Sequence, residues 1–204
     1  MNQQDEPDSR GYYRRMQSAI EELLILKGVF TGADVEREVE AMDSRDPGRR
    51  AKMVARAWVD PAFKARAIQN GSAAAEELGF AVGPLRLIVL ENTPRVHNVI
   101  VCTLCSCYPY ELLGNPPWWY KHDSYKEAIV REPRKTLGEM FKLSVPGEVE
   151  VRVVDSTSDV RYMVMPKRPE GSDGLGEEEL AKLVTQDSLI GVGETVNPNS
   201  AGVG

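Results

Sequence analysis

The hydrophobic period of this 204-residue chain changes once, near residue 80, and that change limits the folds open to it. Before it, apolar residues recur at helical spacing. Met16, Ile20, Leu23 and Leu24 share one face, and Gly28 stands where such a helix would stop. Val35, Val39 and Met42 repeat the spacing in a shorter, acidic segment. Asp46-Pro47 and Asp60-Pro61 each read as an N-cap followed by proline at the first helical position. They would open helices through "RRAKMVARAWV" and "AFKARAIQN". Ser72 reads as the cap of a short alanine-rich helix ending at Gly79. Beyond residue 80 the period is that of strands. "LRLIVLE" and "VHNVIVC" are β-branched runs separated by the short turn "NTPR". Val149, Val151 and Val153 alternate with charged residues, and Val160, Tyr162 and Val164 do the same across "DSTSD". The last two runs read as a hairpin. Helices are expected near 122–132 and 133–142 and over "GEEELAKLVT". The pattern predicts an α+β fold with a helical N-terminal arm. Residues 1–10 read as a disordered N-terminus, 11–80 as the arm, 81–195 as the α+β domain and 196–204 as a flexible tail. The arm has few ways to bury its own apolar face and is expected to wrap a partner.

Charge and composition narrow the function classes. Hydrophobic residues make up 42% of the chain and charged residues 27%, enough for a soluble protein with a real core. The net charge of −6 argues against nucleic acid or an anionic membrane surface as the main partner. The polar start "MNQQDEPDSR" does not read as a signal peptide. No apolar run approaches the ~20 residues of a spanning helix. A cytoplasmic location is the expectation. In a reducing compartment, clustered cysteines bind metal or do redox work more often than they form disulfides.

All 3 cysteines stand in "VCTLCSC", spaced C-x-x-C-x-C at Cys102, Cys105 and Cys107. Structural zinc would need a fourth ligand, for which the chain offers two histidines, His97 and His122. Three buried thiols packed as small hydrophobes, or a metal-free redox pair at Cys105 and Cys107, are the other plain readings. The Cys105-Ser106-Cys107 tripeptide permits a less common arrangement. Two thiolates would flank the deprotonated backbone nitrogens of Ser106 and Cys107 in a planar N2S2 claw, with Cys102 as an axial sulfur. Such strong donors favour a trivalent low-spin ion, Co(III) or Fe(III), over zinc. One position stays open, as a metal catalyst requires. The donors would carry more negative charge than a trivalent ion cancels. No arginine sits within the loop, and Lys121, Arg131 and Arg134 are the nearest cations downstream. Arginines from another subunit would supply the balance.

"VCTLCSCYP" resembles the metal-binding loop of the nitrile hydratase α subunit and of the related thiocyanate hydrolase γ subunit. "ARAWVDPAFKARAI", "ENTPRVHNVIVC", "LGNPPWWYK", "VRVVDSTSDVRYMVMPKRPEG" and "LVTQDSLIGVG" extend the resemblance over about residues 50–193. It implies a layered α/β/β/α fold for residues 81–195, with that segment as the metal-binding catalytic domain. It implies a non-corrin Co(III) or non-haem Fe(III) ion bound by Cys102, Cys105, Ser106 and Cys107. Cys105 would be oxidised to sulfinic acid and Cys107 to sulfenic acid. Thr103 stands where cobalt-type members carry threonine and iron-type members serine, so Co(III) is expected. The resemblance further implies a β-type subunit whose arginines hold the oxidised cysteines, and an activator or metallochaperone that loads the ion. The activity implied is hydration of a nitrile C≡N to an amide, with Cys107 as the catalytic residue. Either its sulfenate oxygen or an activated water would attack the carbon. Thiocyanate hydrolysis to carbonyl sulfide and ammonia is the alternative.

The surroundings of the cysteines depart from the family pattern. Tyr110 and Glu111 replace a tryptophan and a proline, and Asn115 and Trp118 are unusual in "LGNPPWWYK". Lys126-Glu127-Ala128 follows Tyr125 where the family carries two arginines. The glutamine often found before the first cysteine is missing near Pro84. Tyr108, Tyr110 and Trp118 are the candidate substrate-binding residues, for a small nitrile-like substrate whose identity the altered surroundings leave open. His97 reads as a satisfied buried or interface histidine, and Arg131 and Arg134 as structural or interface residues.

Overall fold

In the computed structural model the described residues are 9–43, 48–80, 85–104 and 107–198. The expected disordered N-terminus lies outside them over 1–8, as does the end of the expected tail, 199–204, and the Asp46-Pro47 cap. The chain divides into two compact units, Met1–Ser44 and Arg45–Gly204. No helix among the described residues is long and apolar enough to cross a membrane.

The first unit holds α1 (Ser9–Leu26) and α2 (Gly32–Asp43). Gly28, at φ +68°, ends α1, and the Val29 amide reaches back to the Leu24 carbonyl at 3.0 Å. Thr31 and Asp34 cap α2 reciprocally: the Asp34 carboxylate accepts from the Thr31 amide and the Thr31 hydroxyl accepts from the Asp34 amide. Ile20, Leu23, Leu26 and Val29 are all more than half exposed.

The second unit begins with three helices: α3 (Gly48–Val59), α4 (Pro61–Gln69) and α5 (Gly71–Glu77). These pack in the same unit as the strands, whereas the sequence groups them with the N-terminal helices. Asp60 caps α4 as its sequence predicts, accepting from the Ala62 and Phe63 amides at 3.0 Å with Pro61 in the first turn. The cap of α5 is Asn70, not Ser72. Asn70 accepts from the Ala73 amide, while the Ser72 hydroxyl accepts from Leu87, tying the helix to the next strand. There follow β1 (Arg86–Glu91), β2 (Val96–Val101), α6 (Tyr110–Leu113), a 3-10 turn (Trp118–Lys121), α7 (Asp123–Arg131), α8 (Pro133–Phe141), β3 (Glu150–Asp155), β4 (Val160–Met165), α9 (Glu177–Ala181) and α10 (Gln186–Ile190). The helix expected over "GEEELAKLVT" is confined to its first half. The sequence reading missed α10, although Thr185 caps it by accepting from the Ser188 amide at 3.0 Å.

The expected hairpin does not form. β3 pairs with β2 and β4 with β1, both in parallel. The reason lies in the two short connections. The Ser156 amide donates to Val101, extending the β2–β3 ladder, and only three residues later Asp159 accepts from Arg86, opening the β1–β4 ladder. Between β1 and β2 the same exchange occurs: Asn92 donates to Met165, and Arg95 accepts from Glu150. Here two buried asparagines take up the backbone groups that a hairpin would have paired. Asn92 Oδ1 accepts from the Asn98 amide at 2.7 Å, and Asn98 Nδ2 donates to the Glu91 carbonyl at 2.8 Å.

The two sheets meet where β2 touches β4. α4 and α5 cover β1, α8 packs on β3, and α10 lies against β4 and β2. The result is the expected α+β fold in layers, helix, sheet, sheet, helix. Phe63, Val89, Ile100, Tyr125, Leu137 and Met163 are among its fully or nearly fully buried side chains. α10 closes on the sheet through Gly191 at φ +87°, where an added Cβ would collide with the Asn98 carbonyl. The Gly191 carbonyl in turn accepts from His97 Nε2 at 2.7 Å, and His97 Nδ1 faces the Asn92 amide. Gly191→Ala combines a left-handed backbone with a backbone clash. It is expected to lower unfolding stability by about 2–5 kcal/mol, read as a lower urea midpoint in tryptophan fluorescence.

Candidate metal centre

The loop that carries the cysteines leaves the end of β2. Parallel pairing puts Val101 opposite Asp155, so the first loop residues start beside the last side chain of β3. Cys102 is buried at 1% exposure. Thr103 is then pinned by Asp155: its amide donates to Oδ1 at 3.0 Å and its hydroxyl to Oδ2. Leu104 projects outward at 84% exposure. Cys105 and Ser106, predicted as metal ligands, lie outside the described residues. The chain resumes at Cys107, which is half-buried.

A set of tyrosines stands beneath the loop. The Tyr120 hydroxyl donates to the Cys107 carbonyl at 3.2 Å. Burial pushes its ionisation far upward, and the neighbouring Cys102 and Cys107 push it further. The phenol is thus tied to Cys107 through its carbonyl and lies near enough to Cys102 to feel its charge. Tyr108 is 1% exposed, meets Tyr120 edge-on at 5.1 Å and Tyr110 at 5.8 Å, and accepts from Gln186 Nε2 at 3.0 Å. Gln186 opens α10 and also donates to the Asn115 carbonyl at 2.7 Å, so one amide holds both the residue after the last cysteine and the turn that follows. Arg50 of α3 braces the same turn at the Leu113 carbonyl.

Of the other predicted residues, Trp118 is 75% exposed and packs edge-on against His122 at 5.2 Å. Its neighbour Trp119 enters the aromatic core, 4.8 Å from Tyr125 and 4.7 Å from Phe141. The described residues bring Cys102, Cys107, Tyr108 and Tyr110 into one neighbourhood. His97 sits at the opposite end of β2 from the loop, held by Gly191, and burial lowers its pKa. Arg134 donates to the carbonyls of Val145, Pro146 and Val149, a structural role. Sequence reasoning passed over Asp155 and Gln186. Asp155 had a signal, a carboxylate ending an alternating strand; Gln186 had none.

The donors in this neighbourhood fit a soft or borderline transition metal. Two sulfurs are described, one buried and one half-buried, and the described residues bring no histidine or further carboxylate into a cluster with them. Burial also keeps the supporting phenols neutral. It raises the Tyr108 pKa to about 12, against the opposing Gln186 hydrogen bond, and it raises Tyr125 as well. A raised folded-state value gives a stability contribution that is complete below the unfolded value near 10. It is lost as pH rises toward 12. Tyr108 should therefore remove up to about 1.4 kcal/mol per pH unit in that window. Urea midpoints measured from pH 9 to 12 should fall, and Tyr108→Phe should flatten the fall by that share.

Comparison with known proteins agrees with this geometry. The sequence profile described as "Nitrile hydratase, alpha chain" matches residues 12–193. The chain is 48% identical to the nitrile hydratase subunit alpha of a Rhodococcus species, over 88% of this chain and 92% of that one. It is 47% identical to the cobalt-containing nitrile hydratase subunit alpha of Pseudonocardia thermophila, over 85% and 86%. It is also 41% identical to the thiocyanate hydrolase subunit gamma of Thiobacillus thioparus, over 89% and 82%. Among solved structures, a double mutant of the Fe-type nitrile hydratase from Comamonas testosteroni Ni1 superposes with a TM-score of 0.87 at 42% identity, covering 94% of each chain. A recombinant thiocyanate hydrolase with partially modified cobalt centres superposes with a TM-score of 0.84 at 40% identity, covering 95% and 94%. On sequence and fold, the chain belongs to the nitrile hydratase α-chain family.

Proposed function

We propose that this chain is the metal-carrying subunit of a cobalt-type nitrile hydratase, which hydrates a nitrile C≡N to an amide. The observation that carries the reading is the cysteine loop at the end of β2, pinned at Thr103 by Asp155 and held at the Cys107 carbonyl by the buried phenol of Tyr120. Cys102 and Cys107 would hold the ion through sulfur, and Cys107 also through its backbone nitrogen. Cys105 sulfur and Ser106 nitrogen complete the set on the strength of the family resemblance. Thr103 is the ground for Co(III) over Fe(III), and the cobalt-containing relatives support it. When bound, the trivalent ion supplies Lewis acidity toward a nitrile nitrogen.

The chain's own residues do the positioning. Cys107, as a sulfenate, offers an oxygen to attack the nitrile carbon or to orient the attacking water. Tyr120 fixes the Cys107 carbonyl, and Asp155 anchors Thr103 at the other end of the loop. Tyr108, Tyr110 and Trp118 would be the substrate-binding residues of this reading, Tyr108 and Tyr110 next to Cys107 and Trp118 on the exposed 3-10 turn. Tyr108 accepts from Gln186, which leaves its own hydrogen to donate. A β-type subunit contributes arginines to the oxidised Cys105 and Cys107, and an activator loads the ion in a reducing, cytoplasmic setting. His97, held by Gly191 at the far end of β2, is unsuited to complete a zinc site, which favours the cobalt reading.

Elemental mass spectrometry of the chain purified with its partners should find about one cobalt per chain. The same preparation should convert nitriles to amides. Cys107→Ala should cut the rate by more than the ~100-fold typical of second-shell losses. Release of carbonyl sulfide from thiocyanate, with no amide from any nitrile, would move the chain to the thiocyanate hydrolase branch. Stoichiometric zinc that persists under cobalt supplementation with partners present would overturn the hydratase reading.

A further inference from the structure

We propose that Ser156 is a positioning residue of the metal centre, its hydroxyl donating a hydrogen bond to the Cys102 sulfur when that sulfur is a thiolate. The inference rests on the metal-carrying reading above. Its ground is an unpaired buried hydroxyl. Among the described residues, Asn92, Asn98, Thr136, Ser156, Ser172 and Ser188 are the buried polar ones. Five of them close hydrogen bonds through their side chains. Ser156, at 4% exposure, does not. A buried hydroxyl without a partner is costly, so one that is kept calls for a reason.

The ladder places Ser156 next to Cys102. Its amide donates to the Val101 carbonyl at 2.8 Å, one step beyond the Val101–Asp155 pair. Ser156 is therefore the strand neighbour of the first cysteine. The Tyr120 hydroxyl marks the same spot from the other side. Cys102 and Cys107 raise its ionisation and the neighbouring Ser156 hydroxyl lowers it, although Ser156 Oγ completes no hydrogen bond of normal geometry and the Tyr120 hydrogen goes to the Cys107 carbonyl. On the adjacent strand position stands the Cys102 sulfur, a further acceptor within the same neighbourhood. A neutral thiol is a weak acceptor and a thiolate a strong one. A Cys102 that holds the ion as a thiolate would give this donor its partner. A hydrogen bond to a ligating sulfur also lowers its donor strength, as outer-shell partners of metal ligands do.

The test uses the cobalt-loaded holoenzyme, co-purified with its partners, as wild type, Ser156→Ala and Ser156→Thr. Cobalt content and the thiolate-to-cobalt absorption band are measured on each. Removing the hydrogen bond raises the sulfur lone pair, so Ser156→Ala should move the band to longer wavelength, and Ser156→Thr should restore it. A Ser156→Ala band identical to wild type at equal cobalt content would overturn the proposal. So would equal shifts in Ala and Thr, which would trace the effect to size rather than to the hydroxyl. If Ser156→Ala fails to load cobalt, loading by Ser156→Thr supports the proposal and its failure overturns it. A wild-type holoenzyme without cobalt or the band would sink the metal-carrying reading itself, a distinct result.

Discussion

The exchange of strand partners across two four-residue connections governs the rest of the second unit. The segments 92–95 and 156–159 each leave one parallel ladder and enter the other. Because β2 and β3 run parallel and in register, they end together, and the residues that leave them start side by side. Cys102 and Ser156 are that pair of exits. The Asp155 carboxylate is consequently already beside the loop and can bind Thr103 at both its amide and its hydroxyl. A shift of one residue in the β2–β3 register would turn Cys102 to the opposite face and move Asp155 away from Thr103. Backbone bonds at both ends of the ladder, from Glu150 to Arg95 and from Ser156 to Val101, hold the observed alignment.

The aromatic layer beneath the loop depends on the same alignment. The Tyr125 hydroxyl donates to the Ile100 carbonyl at 2.8 Å, so α7 is hung from β2 two residues before Cys102. Tyr120 reaches the Cys107 carbonyl from the 3-10 turn that precedes α7. Gln186 reaches Tyr108 from α10, which itself rests on β2 and β4. The loop is thus gripped at its start by β3, at its end by the 3-10 turn and, one residue further, by α10. None of these contacts is local in sequence, and each rests on an element packed against the sheets. Rigid support of this kind is what a ligand set needs if its geometry is to be set by the fold.

How much was legible beforehand follows from what kind of physics each feature uses. Asp60-Pro61 announced α4, and Gly28 announced the end of α1, because capping and positive φ are local. Alternation in Val149, Val151 and Val153 identified a strand, but alternation gives a face and not a partner, and a short turn then reads as a hairpin. The parallel pairing depends on contacts such as Arg86 to Asp159 that no window of sequence contains. Ser72 failed as a cap for a related reason: Asn70 was equally eligible, and the nearness of Leu87 decided which oxygen went where. The cysteine spacing was legible because chelation by adjacent residues is itself local. Gln186 was not, since its role exists only once α10 has docked.

The charge balance of the loop bears on its proposed partner. The described groups that hold Thr103, Cys107 and Tyr108 are a carboxylate, a phenol and an amide, with Arg50 at the Leu113 carbonyl of the turn that follows. Arg134, a downstream cation the sequence brought forward, has its guanidinium committed to backbone carbonyls. Deprotonated cysteines beside Asp155 would concentrate negative charge where the surrounding phenols stay neutral. Oxidising Cys105 and Cys107 would add oxygen acceptors without adding donors. The shortage is of charged donors, which a neutral hydroxyl such as that of Ser156 relieves for one sulfur only. Arginines offered by a second subunit would answer it from the exposed side, where Leu104 projects. With the proposed metal bound, the loop would be half of an interface, its fold supplying position and a partner supplying charge.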